Sequence, residues 1–150
     1  TLDGGPLGAH RPCRVQYLNQ NPELAVNPRW RMERILTECW PVDERTRRAL
    51  GIEPGWLGRF PGELSGGELQ RFCIARALHP RLRHLVADEM TTMLDPITQA
   101  LIWSRLVGLI RERGIGLLVI THNPALAGRL CDDIIRLERI NHLDPDESRP

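Results

Sequence analysis

Apolar residues along the chain follow two rhythms. Short unbroken runs bounded by turn residues have the length of strands buried in a sheet: Arg14 to Asn19, His84 to Ala87 ending in Asp88-Glu89, Leu117 to Ile120, and Ile134 to Leu137. Leu2-Asp3-Gly4 reads as the end of a further strand and its turn. Between these runs the spacing is helical. Asn27-Pro28 supplies an N-cap and a first-turn proline for a helix over about Arg29 to Cys39. A second helix follows Pro41-Val42-Asp43 and ends near Gly51, and Pro54, Gly55, Gly58, Pro61 and Gly62 then predict a loop. Ser65 opens a third helix running to Leu78, with Leu69, Phe72, Cys73 and Ala77 on one side. Asp95-Pro96 caps a long helix whose apolar residues are Ile97, Leu101, Ile102, Leu106, Leu109 and Ile110, ended by Gly114 to Gly116. Asn123-Pro124 starts a last helix to about Leu130. Continuous apolar strands alternating with helices predict an α/β fold on a parallel sheet covered on both faces. From Asn141 the tail is polar and predicted to be disordered.

Composition narrows the chemistry. The 150 residues carry 20 basic against 19 acidic side chains, and 41% are apolar, which describes one soluble domain able to build a core without staples. A net charge of +1 argues against nucleic acid, or an anionic membrane, held through a positive field. All 20 basic residues are Arg. With no Lys, neither a Walker A phosphate loop nor a Schiff-base site can be built from this chain, so any nucleotide site here is incomplete. Cys13, Cys39, Cys73 and Cys131 lack the paired spacing of a zinc site and read as free buried thiols in a reducing, cytosolic compartment. No apolar run approaches the ~20 residues that span a bilayer, and no secretory leader is visible. The chain begins at Thr1 without Met and reads as a fragment.

The sharpest segment is Leu64-Ser65-Gly66-Gly67-Glu68-Leu69-Gln70-Arg71. Ser65 and Glu68 have the spacing of a capping box, which accounts for those two residues but not for the glycines between them. Each glycine in a first turn costs up to about 1 kcal/mol relative to Ala, so the pair points to something that must approach the backbone. A helix start with bare N–H groups and a hydroxyl suits an anion such as phosphate. Asp88-Glu89 puts adjacent carboxylates at the carboxyl end of a buried strand, where open α/β sheets bind ligands. Asp95 before Pro96 is explained by N-capping alone.

The segment from Leu64 to Arg71 resembles the signature motif of ATP-binding-cassette (ABC) proteins, and the family's other motifs follow in order. Tyr17-Leu18-Asn19-Gln20-Asn21-Pro22 resembles the Q-loop, Leu85 to Glu89 the Walker B strand, Met93-Leu94-Asp95 the D-loop, and Ile120-Thr121-His122-Asn123 the switch strand. Asn27-Pro28-Arg29-Trp30, Thr91-Thr92 and Thr98-Gln99-Ala100 resemble the branch serving peptide, dipeptide and nickel importers.

The resemblance implies a partial P-loop NTPase-like ABC nucleotide-binding domain over 1–140, with a helical signature subdomain at 27–80, a core at 81–140, and a polar tail at 141–150. It implies ATP and Mg²⁺ as cofactors. Asp88 and Gln20 would meet the metal, Glu89 would polarise the attacking water, and His122 would reach the γ-phosphate. Ser65, Gly66, Gly67 and Asp95 would help to bind the nucleotide, with Ser65 and the second glycine, Gly67, contacting the γ-phosphate held by an opposing subunit. Two departures stand out: Met90 replaces the family's proline after the catalytic Glu, and Met93 a small residue before the D-loop Leu. Implied partners are a second nucleotide-binding subunit, homo- or heterodimeric, transmembrane permease subunits and, indirectly, a solute-binding protein, with no nucleic acid. The implied place is the cytoplasmic face of the membrane, peripherally, and without a Walker A loop the chain alone is expected to bind ATP weakly or not at all. Two other readings stay open: a non-transport ABC ATPase of DNA repair or chromosome maintenance, whose coiled coils and zinc-binding Cys pairs are missing here, and a non-catalytic module docking through Arg29 to Leu78.

Overall fold

Local capping chemistry sets most helix boundaries. In the computed structural model, which describes residues 13–136, the elements in chain order are β1 (Val15–Leu18), α1 (Met32–Thr37), α2 (Glu44–Leu50), α3 (Gly66–Ala77), β2 (His84–Asp88), α4 (Pro96–Arg113), β3 (Gly116–Ile120) and α5 (Pro124–Leu130). The side chains of Asp43, Ser65, Asp95 and Asn123 accept hydrogen bonds from backbone N–H groups in the first turns of α2, α3, α4 and α5. Gly51 (φ 67°) and Gly114 (φ 62°) close α2 and α4 in the left-handed conformation that costs glycine least.

Helix α1 departs from the sequence reading. It starts at Met32, with Arg31 as its N-cap, while Asn27 caps only a turn, its Oδ1 accepting from the Arg29 N–H. The reason lies far along the chain: the Met32 and Glu33 N–H groups donate to the carbonyls of Arg59 and Leu57, so a loop backbone does the capping. That loop is itself structured, with short 3₁₀ turns at Pro54–Trp56 and Pro61–Glu63.

The strands form a parallel sheet in the order β1-β2-β3, with Leu18 opposite Ala87 and Asp88 opposite Ile120. Parallel register brings their carboxyl ends to one edge, so the residues just beyond them become neighbours. Helices and sheet share one continuous core that includes Met32, Ile35, Leu50, Phe72, Ile74, Leu85 and Leu106.

Two expectations about burial fail. Leu118 and Ile120 on β3 are 56% and 43% exposed, so β3, which lies at one side of the sheet among the described residues, has an open face rather than a buried one. On α4, Ile97 is 82% exposed although Ile102, Leu106, Leu109 and Ile110 are buried. Nine residues separate Ile97 from Leu106, about two and a half turns, which puts them on opposite sides of the helix. The core stripe instead takes in Trp103.

Ile134, Ile135 and Arg136 form no strand; Leu137 lies outside the described residues, as do Leu2-Asp3-Gly4 and the tail from Asn141. All four cysteines are free, but only Cys73 is buried, and burial raises its thiol pKa to about 11. Among the described residues no group of His, Cys, Asp and Glu could hold a metal by itself, and no helix is long and apolar enough to cross a membrane.

Candidate active site

The eight residues singled out from the sequence fall into two groups in the structure. Gln20, Asp88, Glu89 and His122 gather where the strands end. Ser65, Gly66, Gly67 and Asp95 line a separate cleft with Trp56, Arg71 and Leu94. The turn that follows Glu89 joins the two.

In the first group, Asp88 is the last residue of β2, and its Oδ2 accepts a hydrogen bond from the Tyr17 hydroxyl on β1. That bond, with the carboxylate's charge, raises the Tyr17 pKa. Glu89 follows with φ 45°, the only non-glycine residue at positive φ among those described. A left-handed conformation in a residue with a long side chain costs of order 1 kcal/mol or more, and such strain collects at functional sites. Here the surroundings hold it. The Glu89 N–H donates to the Ile120 carbonyl on β3, extending the sheet by one bond, and the Glu89 carbonyl accepts from both the N–H and the hydroxyl of Thr92.

His122 stands just beyond β3. Its Nδ1 lies 2.6 Å from Glu89 Oε1, with the His122 side chain 73% exposed and that of Glu89 29% exposed. The pair lines a small pocket with Thr91, Thr92, Gln99 and Trp103. Gln20, beyond β1, donates from Nε2 to Thr92 Oγ1 at 3.1 Å. The turn after Glu89 is also clamped from α4: the Trp103 indole donates to Thr91 Oγ1 at 3.0 Å, and the Gln99 amide donates to the carbonyls of Thr91 and Leu94. Met90, where the family has proline, is 2% exposed and anchors the turn in the core.

In the second group, Ser65 and Glu68 form the predicted capping box, with Ser65 Oγ accepting from the Glu68 N–H and Glu68 Oε2 from the Ser65 N–H. Gly66 is exposed and Gly67 buried. A Cβ on Gly67 would lie 2.7 Å from Cγ2 of Thr98, so packing of α3 against α4 accounts for that glycine. A Cβ on Gly66 would meet its nearest neighbour, Leu94, at 3.5 Å, an ordinary contact. Packing therefore leaves Gly66 unexplained. Asp95 Oδ1 accepts from the Ile97 and Thr98 N–H groups, and hydrogen bonding to Thr98, foremost, lowers its pKa.

Tyr17 and Thr92 are functional-site neighbours that their sequence context does not mark, although Tyr17 precedes Gln20 and Thr92 follows Glu89 closely in the chain. Their partners lie 71 and 72 residues away, which no local spacing can reveal.

Sequence and fold together mark the chain as part of a nucleotide-binding domain of the ABC class. No protein-family model matches the chain. Among curated proteins it is 38% identical over 154 residues to the nickel import ATP-binding protein NikE and 41% identical over 148 residues to NikD, both of Rhodospirillum rubrum. These alignments cover 90% and 89% of this chain but 56% and 57% of the relatives, so the chain spans just over half their length. It is also 37% identical to the probable D,D-dipeptide transport ATP-binding protein DdpF of Escherichia coli, over 80% of this chain and 43% of that protein. Among solved structures, a dimeric ATP-binding cassette in a post-hydrolysis state with ADP and Pi matches with a TM-score of 0.60 at 25% identity, over 75% of this chain and 54% of the other.

Proposed function

We propose that the chain supplies part of the ATP-hydrolysing machinery of an import transporter that takes up nickel or peptides. The observation that carries this reading is that Gln20, Asp88, Glu89 and His122 lie at or just beyond the carboxyl ends of three parallel strands, with Glu89 against His122. Mg²⁺ fits the donor set: Asp88 and Gln20 offer oxygen atoms, the ligand type it takes, and few protein ligands suffice because it keeps waters and phosphate oxygens. Bound there, the ion would neutralise charge on the phosphates.

The chain's own groups divide the remaining work. His122 engages one oxygen of Glu89, which leaves the other to accept a hydrogen bond from the attacking water. With Nδ1–H donating to Glu89, the imidazole can also donate from Nε2 to a γ-phosphate oxygen only as the imidazolium. Ser65 and the exposed Gly66 N–H, in their own cleft, suit a phosphate presented by another subunit. The chain has no Lys, so the grip on the β- and γ-phosphates comes from groups outside it. In this reading two nucleotide-binding subunits enclose ATP, permease subunits dock on the helices, and the assembly sits peripherally on the cytoplasmic face of the membrane. The names of the curated relatives support nickel or peptide as cargo.

The test is ATP hydrolysis by the whole protein with its partner subunits, as a function of Mg²⁺. Asp88→Asn is expected to raise the half-maximal Mg²⁺ concentration at least about tenfold, as loss of one charged ligand should. An unchanged requirement would remove Asp88 from the metal site and the reading with it.

A further inference from the structure

Thr92 has one hydroxyl proton and two partners. Its Oγ1 lies 2.9 Å from the Glu89 carbonyl and 3.1 Å from Gln20 Nε2. The carbonyl can only accept, and with the hydroxyl proton given to it Thr92 accepts from Gln20. This favours the orientation of the Gln20 amide seen here: turned over, its Oε1 could take the hydroxyl proton only at the expense of the bond to the Glu89 carbonyl, leaving one hydrogen bond fewer. The amide oxygen is thereby kept as the free end, and it takes no hydrogen bond from any described residue. Oxygen is the atom a hard cation takes from an amide. The same hydroxyl, with the Thr92 N–H, braces the Glu89 carbonyl and so the turn that carries Glu89 at positive φ.

We propose that Thr92 is a positioning residue for metal handling: its hydroxyl orients the Gln20 amide so that Oε1 is left to meet the cation, and ties that amide to the backbone of Glu89. The proposal rests on the reading of Gln20 and Asp88 as metal-facing residues. Thr92 itself touches neither metal nor phosphate, and it acts through Gln20. Serine, which keeps the hydroxyl, replaces it in this role, and valine, which keeps only the shape, does not.

The test has two readouts on the whole protein. In side-chain amide NMR without metal or nucleotide, wild type is expected to show contact between a Gln20 Nε2 proton and the Thr92 methyl group, and the Gln20 resonance should move in Thr92→Val and stay in place in Thr92→Ser. In hydrolysis assays, Thr92→Val should raise the half-maximal Mg²⁺ concentration about fivefold, the effect of losing one ordinary hydrogen bond, with kcat less affected, while Thr92→Ser behaves as wild type. Absence of the wild-type NMR contact overturns the proposal even if Thr92→Val does not fold. So does a Thr92→Ser protein as impaired as Thr92→Val. Asp88→Asn in the same assay separates the two layers: if it shifts the Mg²⁺ requirement and Thr92→Val does not, Thr92 has no such role, whereas if neither shifts it, the metal-site reading fails.

Discussion

A methyl group added at Gly67 would sit 2.7 Å from Thr98 Cγ2, whereas one added at Gly66 would find its nearest neighbour at 3.5 Å. Adjacent glycines of one motif thus answer to different forces. Thr98 is short and β-branched and cannot swing aside, so Gly67→Ala should force α3 and α4 apart and cost about 1–3 kcal/mol, as overpacking does. Gly66→Ala should stay within about 1 kcal/mol of wild type in stability, because alanine improves helix propensity. Urea unfolding of the two variants measures this difference, and Thr98→Ser, which removes the offending methyl, should restore much of the loss in Gly67→Ala. If Gly67→Ala is as stable as wild type, the close approach does not dictate the glycine. Glu89 shows the opposite arrangement, an unfavourable backbone conformation kept in place by the Ile120 carbonyl and by Thr92.

At the scale of elements, the helix starts were legible wherever the cap is a local side chain. Asp43, Ser65, Asp95 and Asn123 could each be read from a few neighbouring residues, and each caps as expected. Helix α1 could not, because its free N–H groups meet carbonyls more than twenty residues downstream. Periodicity found α4 but could not say which side of it is buried: Ile97 and Leu101 continue an apolar count that the core does not use. The capping carboxylates also make stability depend on pH. Asp43 is held low, chiefly by the Thr46 N–H, and Asp95 chiefly by Thr98, so both have folded pKa values below their unfolded ones. Stability from such groups is fully present above the unfolded pKa of about 4 and fades as pH falls through the lower folded value. The urea midpoint should therefore fall below about pH 4, and Asp43→Asn should make that fall shallower. A midpoint that holds level into that range would show that these caps contribute little as carboxylates.

Across the whole molecule, the candidate site was legible as two sets of motifs, and the structure keeps the sets in two clefts. The segments that follow β2 and β3 meet in one, and the starts of α3 and α4 meet in the other. The strand runs and their order predicted the parallel sheet, but run length alone does not tell an open face from a covered one, and β3 proved to have an open face. The bonds between groups distant in sequence, Tyr17 to Asp88 and Gln20 to Thr92, were set by strand register and by the turn after Glu89. In the proposed function Glu89, held by its strained turn and by His122, activates the water that attacks ATP. The most direct test of that role is phosphate release by the whole protein with its partner subunits, comparing wild type with Glu89→Gln at saturating Mg²⁺ and ATP. ATP binding should persist while turnover falls by about 10²–10⁴-fold, the usual contribution of a general base. Turnover within a few-fold of wild type would contradict it.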